Sequence, residues 1–87
     1  MRLDKFLKVS RLIKRRPVAK EIAEQNRIKI NGVVAKPSVN VDVGDEIEIT
    51  FGQTVVTVKV LQIKEHVKKD EAAMLYEVIH EVKRSED

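Results

Sequence analysis

From Leu3 the apolar residues fall at Leu3, Phe6 and Leu7 and again at Ile13, with the small Ser10 between them, which is the spacing of one helical face. Lys5, Lys8 and Arg11 lie on the other sides. Further on the pattern fails, because Lys14 would return to the apolar stripe and Leu12 would leave it. The first helix therefore ends between Ser10 and Ile13. Pro17 suits the first position of a second helix, where its missing N–H is no loss, and it biases Arg16 toward extended backbone, so that Lys14-Arg15-Arg16 forms the turn. The second helix carries Val18, Ala19, Ile22 and Ala23 on one side and Lys20, Glu21 and Glu24 on the others. It stops near Asn26, a residue that tolerates the left-handed backbone of a helix end.

After the helices the period changes from 3.6 to 2. Ile28 and Ile30 flank an outward Lys29, and Asn31-Gly32 supplies the positive φ angles that a tight hairpin turn requires. Val33 to Ala35 begins the return strand, which Pro37 breaks. Val41 to Asp45 turns into a strand with Ile47, Ile49 and Phe51 on one face and Glu46, Glu48 and Thr50 on the other. Gly52-Gln53 then leads into a β-branched run, Thr54 to Ile63, long enough to need a bend or bulge. Lys64 to Lys69 is a polar connection. Asp70 can cap a short helix with Ala73 and Met74 inward, yet Tyr76, Val78, His80 and Val82 alternate as a strand would, and both readings stay open. The expected fold class is α+β: two N-terminal helices packed on a small, mostly antiparallel sheet, with a short C-terminal element. Residues 1–64 are expected to form the domain, and 65–87 an extension with a short helix packed on it.

Charge changes this picture more than composition does. Through Lys36 the chain holds six lysines and five arginines against Asp4, Glu21 and Glu24, a net of +8, whereas 37–87 has six basic and eleven acidic residues, a net of −5. The formal +3 thus conceals a dipolar molecule with one polyanion-facing side. The cluster is Arg2, Lys5, Arg11, Lys14, Arg15, Arg16, Lys20, Arg27 and Lys29. Arginine's planar fork engages phosphate oxygens in pairs, and the free N–H groups opening the second helix add to the attraction beside Arg15 and Arg16. A charge run is more often a solvated face, but here the cations come from two helices and a strand while the acids are segregated elsewhere. Asp4 is read as ordering a neighbouring arginine and favouring the N-terminal end of the first helix, ahead of any catalytic part.

Other chemistry finds little support. The absence of cysteine excludes disulfides, thiolate catalysis and cysteine zinc sites. His66 and His80 lack ligand spacing, so no metal is expected, and no cofactor. No serine sits on a glycine elbow or beside a base. No catalytic constellation remains, and the chain is read as a non-enzyme. With Phe6, Phe51 and Tyr76 as its only aromatics, and the first two on apolar faces, it reads the shape and phosphates of folded RNA ahead of a long single strand. A DNA-binding helix-turn-helix is disfavoured because Glu21 and Glu24 share the exposed face of the second helix. No apolar stretch forms a signal peptide or spans a bilayer, so a cytoplasmic location is expected.

The stretch RLDKFLKVSRLIKRRPVAKEIAEQNRIKING, followed by Lys36-Pro37-Ser38 and Val43-Gly44-Asp45-Glu46-Ile47, resembles the S4 RNA-binding domain, or alpha-L motif. The likeness is strongest over 1–50. It implies an S4-type fold whose RNA-facing positions are Arg2, Arg11, Arg15 and Arg16, with Lys20, Arg27, Lys29 and Asn31 behind them. Many members have Ser-Arg at Arg15-Arg16 and Gly at Asn26, departures that preserve charge and backbone geometry. Asp70 to Glu77 is similar to the segment that follows this domain in heat-shock S4-domain proteins binding free large ribosomal subunits, without their long basic tail. Over its whole length the chain is most similar to the short subfamily of ribosome-associated quality control P proteins. That resemblance implies a non-catalytic factor on large subunits obstructed by peptidyl-tRNA, touching large-subunit rRNA and the peptidyl-site tRNA. It also implies assistance to the NEMF-type tailing factor RqcH in adding C-terminal alanine, and the free protein is expected to be a monomer. A heat-shock-type role, or service as the detached RNA-reading module of an RNA-modifying enzyme, is the alternative.

Overall fold

The computed structural model describes residues 1–83, and its first helix, α1, runs Leu3–Val9. The opening N–H groups of a helix have no partner within it. Here a distant loop supplies them: Leu3 N–H donates to Val39 O (2.8 Å) and Asp4 N–H to Pro37 O (3.1 Å). Leu3, Phe6 and Leu7 are wholly buried and Ile13 nearly so, which is the stripe that the spacing predicts. The helix closes at Ser10, at the near end of the predicted window. Arg11 then takes φ +61°, with its N–H on Lys8 O (3.1 Å) and that of Ile13 on Leu7 O (3.1 Å). This reversal turns Ile13 back into the core.

Helix α2 spans Arg16–Glu24, one residue ahead of the expected start. The extended residue is Arg15 (φ −119°, ψ 127°), and Arg16 is already helical. Proline costs no hydrogen bond at either of the first two helical positions, because both N–H groups are orphans there. Ala19 and Ala23 are fully buried and Ile22 half-buried, but Val18, expected inward, is exposed. The contact stripe is narrower than predicted because it is centred on the two alanines, whose small side chains let α2 lie close to the core. At its end Asn26 adopts φ +62°, as predicted. Asn26 N–H reaches Ala23 O (3.0 Å) and Arg27 N–H reaches Ile22 O (3.3 Å), the paired bonds of a Schellman closure.

Five antiparallel strands follow: β1 Ile28–Ile30, β2 Val33–Val34, β3 Glu46–Phe51, β4 Thr54–Val60 and β5 Tyr76–Lys83, in the order β2-β1-β3-β4-β5. Ile28 pairs with Ile49 and Ile30 with Ile47, which in turn faces Val58. These rows bring the inward side chains of the central strands onto the helices, and the core forms between them. Asn31 (φ +50°) and Gly32 (φ +83°) make the β1–β2 turn. Asn31 Nδ2 also donates to Asp45 Oδ1 (3.1 Å), and Asn31 Oδ1 accepts from Glu46 N–H (3.0 Å). Asn31→Ala is expected to lower unfolding free energy by about 1 to 2 kcal/mol, since it loses both bonds and puts a Cβ-bearing residue without a polar partner at positive φ. Asn31→Gly should cost less, because it loses only the bonds. Urea denaturation of the two variants separates the contributions.

The C-terminal segment is helix and then strand. A 3-10 helix, Lys69–Leu75, precedes β5. Ala72 and Leu75 are buried, whereas Ala73 and Met74, expected inward, point out. A 3-10 helix repeats every three residues, so the buried pair is three apart. The bulge expected in the long β-branched run falls at Thr57/Val58, where the register shift leaves Ile79 of β5 without a partner. Among the described residues no helix is long and apolar enough to cross a membrane.

Candidate nucleic-acid interface

The beginnings of α1 and α2 meet at a buried carboxylate. Asp4, 3% exposed, receives Arg2 Nε at 3.2 Å and Arg2 Nη2 at 3.3 Å, Arg16 Nη2 at 3.4 Å, and the Lys5 N–H at 2.8 Å. The sequence reading has one arginine ordered by this acid; the fold gives it two, twelve and two positions away. Burial alone would raise the Asp4 carboxyl, but the hydrogen bonds and charges of Arg2 and Arg16 outweigh it and hold the group below its ordinary 3.8. Both guanidiniums remain half-exposed. The carboxylate thus fixes two planar forks at the surface, with N–H groups left over for a second oxygen ligand.

Around this centre the predicted cations fall into three groups. Arg15, the extended residue before α2, and Lys20 on the helix itself are exposed beside Arg16. Arg11 and Lys14 lie past the other end of α1, where together with Lys8 they line a small cavity. The remaining residues are engaged or turned elsewhere. Lys5 Nζ pairs with Glu65, and that ion pair holds the Glu65 carboxyl low. Arg27 reaches Gln25 Oε1 at 3.2 Å, and Asn31 holds the β1–β3 connection. Lys29 alternates with the inward Ile28 and Ile30 and pairs across the sheet with Glu48, so it lies on the sheet face opposite the helices.

Sequence reasoning leaves out Lys8, Glu65 and His66, which the fold brings to Arg11 and Lys14. Lys8 and Arg11 are three apart, a hint of proximity, but nothing local signals a loop more than fifty residues away. Arg11 itself occupies a backbone region in which glycine is at ease and other residues lose roughly 1 kcal/mol. Arg11→Gly is expected to raise unfolding free energy by about 0.5 to 1 kcal/mol while weakening RNA binding several-fold. Thermal unfolding and RNA titration on the same sample check both signs.

Residues 1–47 match the S4 domain family. The chain is 54% identical over 87 residues to an RQC P-site tRNA stabilizing factor of Streptococcus pneumoniae, covering 100% of this chain and 99% of that protein. It is 58% identical over 86 residues to the protein of that name in Bacillus subtilis, covering 99% and 100%. Heat shock protein 15 of Escherichia coli is 37% identical over 78 residues, which make up 88% of this chain and 59% of that one. The trimeric structure of heat shock protein 15 from Vibrio cholerae superposes with a TM-score of 0.83 at 33% identity, covering 90% of this chain and 80% of that chain. The α1–α2 pair with its pinned arginines and five-stranded sheet is therefore an S4 fold, and the chain belongs to the S4-domain family, in the group of RQC P-site tRNA stabilizing factors.

Proposed function

We propose that this chain is a non-catalytic RNA-binding factor of ribosome-associated quality control. It binds large ribosomal subunits obstructed by peptidyl-tRNA and assists C-terminal alanine tailing of the stalled nascent chain. The observation that carries this reading is end-to-end similarity: relatives bearing the name of a P-site tRNA stabilizing factor match over essentially their full length. Heat shock protein 15 of Escherichia coli is less identical and extends well beyond the matched part.

The geometry suits such a task. Arg2 and Arg16, held by Asp4, stand exposed where α2 begins, close in sequence to the exposed Arg15 and Lys20, and Arg11 and Lys14 gather with Lys8 past the end of α1. A surface of this kind holds large-subunit rRNA and the peptidyl-site tRNA in a fixed relation by charge and fit, and it contributes positioning with no chemical step. Residues 1–64 act as the RNA-holding domain and 65–87 as its extension. The protein works in the cytoplasm, is monomeric when free, and meets the NEMF-type factor RqcH on the same subunit.

The test is to tag the protein in its native cells, recover its complexes gently at low salt and identify the RNA and proteins that come with it. Large-subunit rRNA, tRNA and a NEMF-type factor, with little small-subunit RNA, are expected. A second reading draws on the TM-score of 0.83 to heat shock protein 15: large subunits recovered without tRNA or the tailing factor would favour a role on free subunits. Recovery of no ribosomal RNA would overturn both.

A further inference from the structure

At the end of the sheet where β3 begins and β4 stops, three chain segments lie side by side. Gly44 N–H donates to Val60 O (2.8 Å), Val60 N–H to Asp45 O (2.9 Å) and Leu61 N–H to Leu75 O (2.8 Å). Each segment opens a large apolar side chain to solvent there: Val43 is 61% exposed, Leu61 41% and Met74 60%. Apolar side chains gathered in this way and rimmed by polar ones mark a contact surface, whereas scattered ones do not. Here the rim is acidic. Val43 lies between Asp42 and Asp45 in the chain, and Met74 between Glu71 and Glu77. Asp45 accepts from the Asp42 N–H (2.8 Å) and Glu71 from the Lys68 N–H (3.3 Å), which holds both carboxylates in place. Among the described residues no cation lies within ion-pair distance of these four acids, whereas Asp4 and Glu65 have theirs. Lys59 stands between Glu46 and Glu77 across the sheet and leaves that row net negative.

We propose that Val43, Leu61 and Met74 form the docking surface for an amphipathic helix of another protein, one whose apolar stripe is flanked by lysines or arginines. The sign of the rim repels nucleic acid and anionic lipid, so this surface and the arginines at the start of α2 take different classes of ligand. Cationic flanks complement it, and complementary charge around an apolar contact fixes orientation and speeds encounter. The backbone decides against an added strand, because the N–H groups of Gly44, Val60 and Leu61 are all used within the sheet and leave no ladder to extend at this place. A helix meets such a surface with side chains alone, and the unbranched thioether of Met74 adapts to it. A second copy offers no such helix, because the apolar residues of α1 and the alanines of α2 are buried in their own core. Position gives the docking a consequence. Val43 follows Asn40 by three residues, and the backbone of Asn40 bridges to Arg2, so the partner stands next to the RNA that Arg2 holds. That placement rests on the RNA-binding reading above, whereas the surface itself does not.

The test is an amide-resolved NMR titration of the full chain with synthetic peptides of about 14 residues, long enough to form a helix. One peptide combines leucines at helical spacing with lysines; the controls carry glutamate in place of lysine, or serine in place of leucine. The leucine–lysine peptide is expected to shift the amides of residues 42–46, 59–62 and 70–77 and to bind roughly 10-fold tighter than either control. Met74→Ser and Leu61→Ser should each weaken it roughly 5-fold through lost apolar burial, with RNA affinity at the wild-type value and thermal unfolding showing a folded chain. Equal binding of the glutamate peptide would leave only apolar adhesion, and equal binding of the serine peptide only charge; either overturns the assignment. So would shifts confined to other residues, or unchanged peptide affinity in both variants. Self-association of the wild type that Met74→Ser abolishes would give the surface to a second copy, and would overturn it as well. In native cells, tagged wild type and Met74→Ser should recover the same RNA and differ in a protein that the variant loses; identical protein complements would overturn the partner. The peptide arm needs no ribosome, so a wild-type chain that selects the basic peptide but recovers no large subunits would refute the functional reading and leave the docking surface standing.

Discussion

Replacing Arg15 and Arg16 together by alanine is expected to weaken binding to large-subunit RNA roughly 100-fold at about 0.1 M salt and to reduce the slope of log affinity against log salt by about 2. Each arginine that neutralises a phosphate releases condensed counterion, and about 0.7 to 0.9 of the slope goes with each contact. The affinity loss follows from two charge-assisted bonds, each worth about 1.5 kcal/mol or more, at the junction where α2 begins. Stability should change far less, because among the described residues Arg15 has no carboxylate within ion-pair distance, and Asp4 retains the two-pronged contact from Arg2 when Arg16 is removed. Fluorescence anisotropy across a salt series, with thermal unfolding on the same samples, distinguishes lost contacts from lost fold. If affinity and slope both stay at their wild-type values in a folded double variant, the start of α2 does not face RNA.

What could be read from the chain beforehand follows a physical division. The apolar stripe of α1, the left-handed Asn26 and the Asn31-Gly32 turn are written in neighbouring residues, and the structure has all three. Conformation at such places is set by local sterics and period, which a linear sequence carries. The left-handed Arg11 escapes that reading because arginine is no cap residue by propensity, and only the need to return Ile13 to the core explains it. Periodicity predicts Val18, Ala73 and Met74 inward, yet they lie outward, since the breadth of a buried stripe depends on how closely the partner element approaches. At the candidate interface, the charge segregation and the ordering function of Asp4 are legible. The placement of Lys29 opposite the helices follows from strand alternation, once it is known which sheet face the helices cover. The pairing of Lys5 with Glu65 spans sixty positions and has no local signature, and the same long loop supplies half of the cavity.

The carboxylate at the centre of the surface carries the other large effect. Asp4→Asn is expected to lower unfolding free energy by about 2 kcal/mol, or roughly 10 °C in Tm for a domain of this size. The value lies below the range for a fully buried pair because Arg2 and Arg16 keep half their surface in water. An asparagine of the same shape still offers one acceptor, so the loss comes from charge and from the second prong of Arg2. The pH dependence has a definite sign. Asp4 titrates lower in the folded protein than its ordinary 3.8, so the unfolded chain binds the proton first as acid is added. The contribution is present in full above the ordinary value and is lost as the pH falls through the lowered folded one. Wild type and Asp4→Asn should therefore differ most near neutrality and converge in acid, which urea denaturation at a series of pH values would show. RNA binding supplies the sharper test of what Asp4 does. Removing a negative charge from a polyanion-binding face should raise affinity if charge alone mattered. If Asp4 serves to hold two guanidinium forks in register, the variant must instead order Arg2 and Arg16 on binding, at about 0.5 to 1.5 kcal/mol for each side chain. The salt slope of Asp4→Asn is then expected to equal or exceed that of wild type while its affinity near 0.1 M salt is lower. A folded variant with raised affinity would reduce Asp4 to a structural acid and leave the arginines to act as free charges.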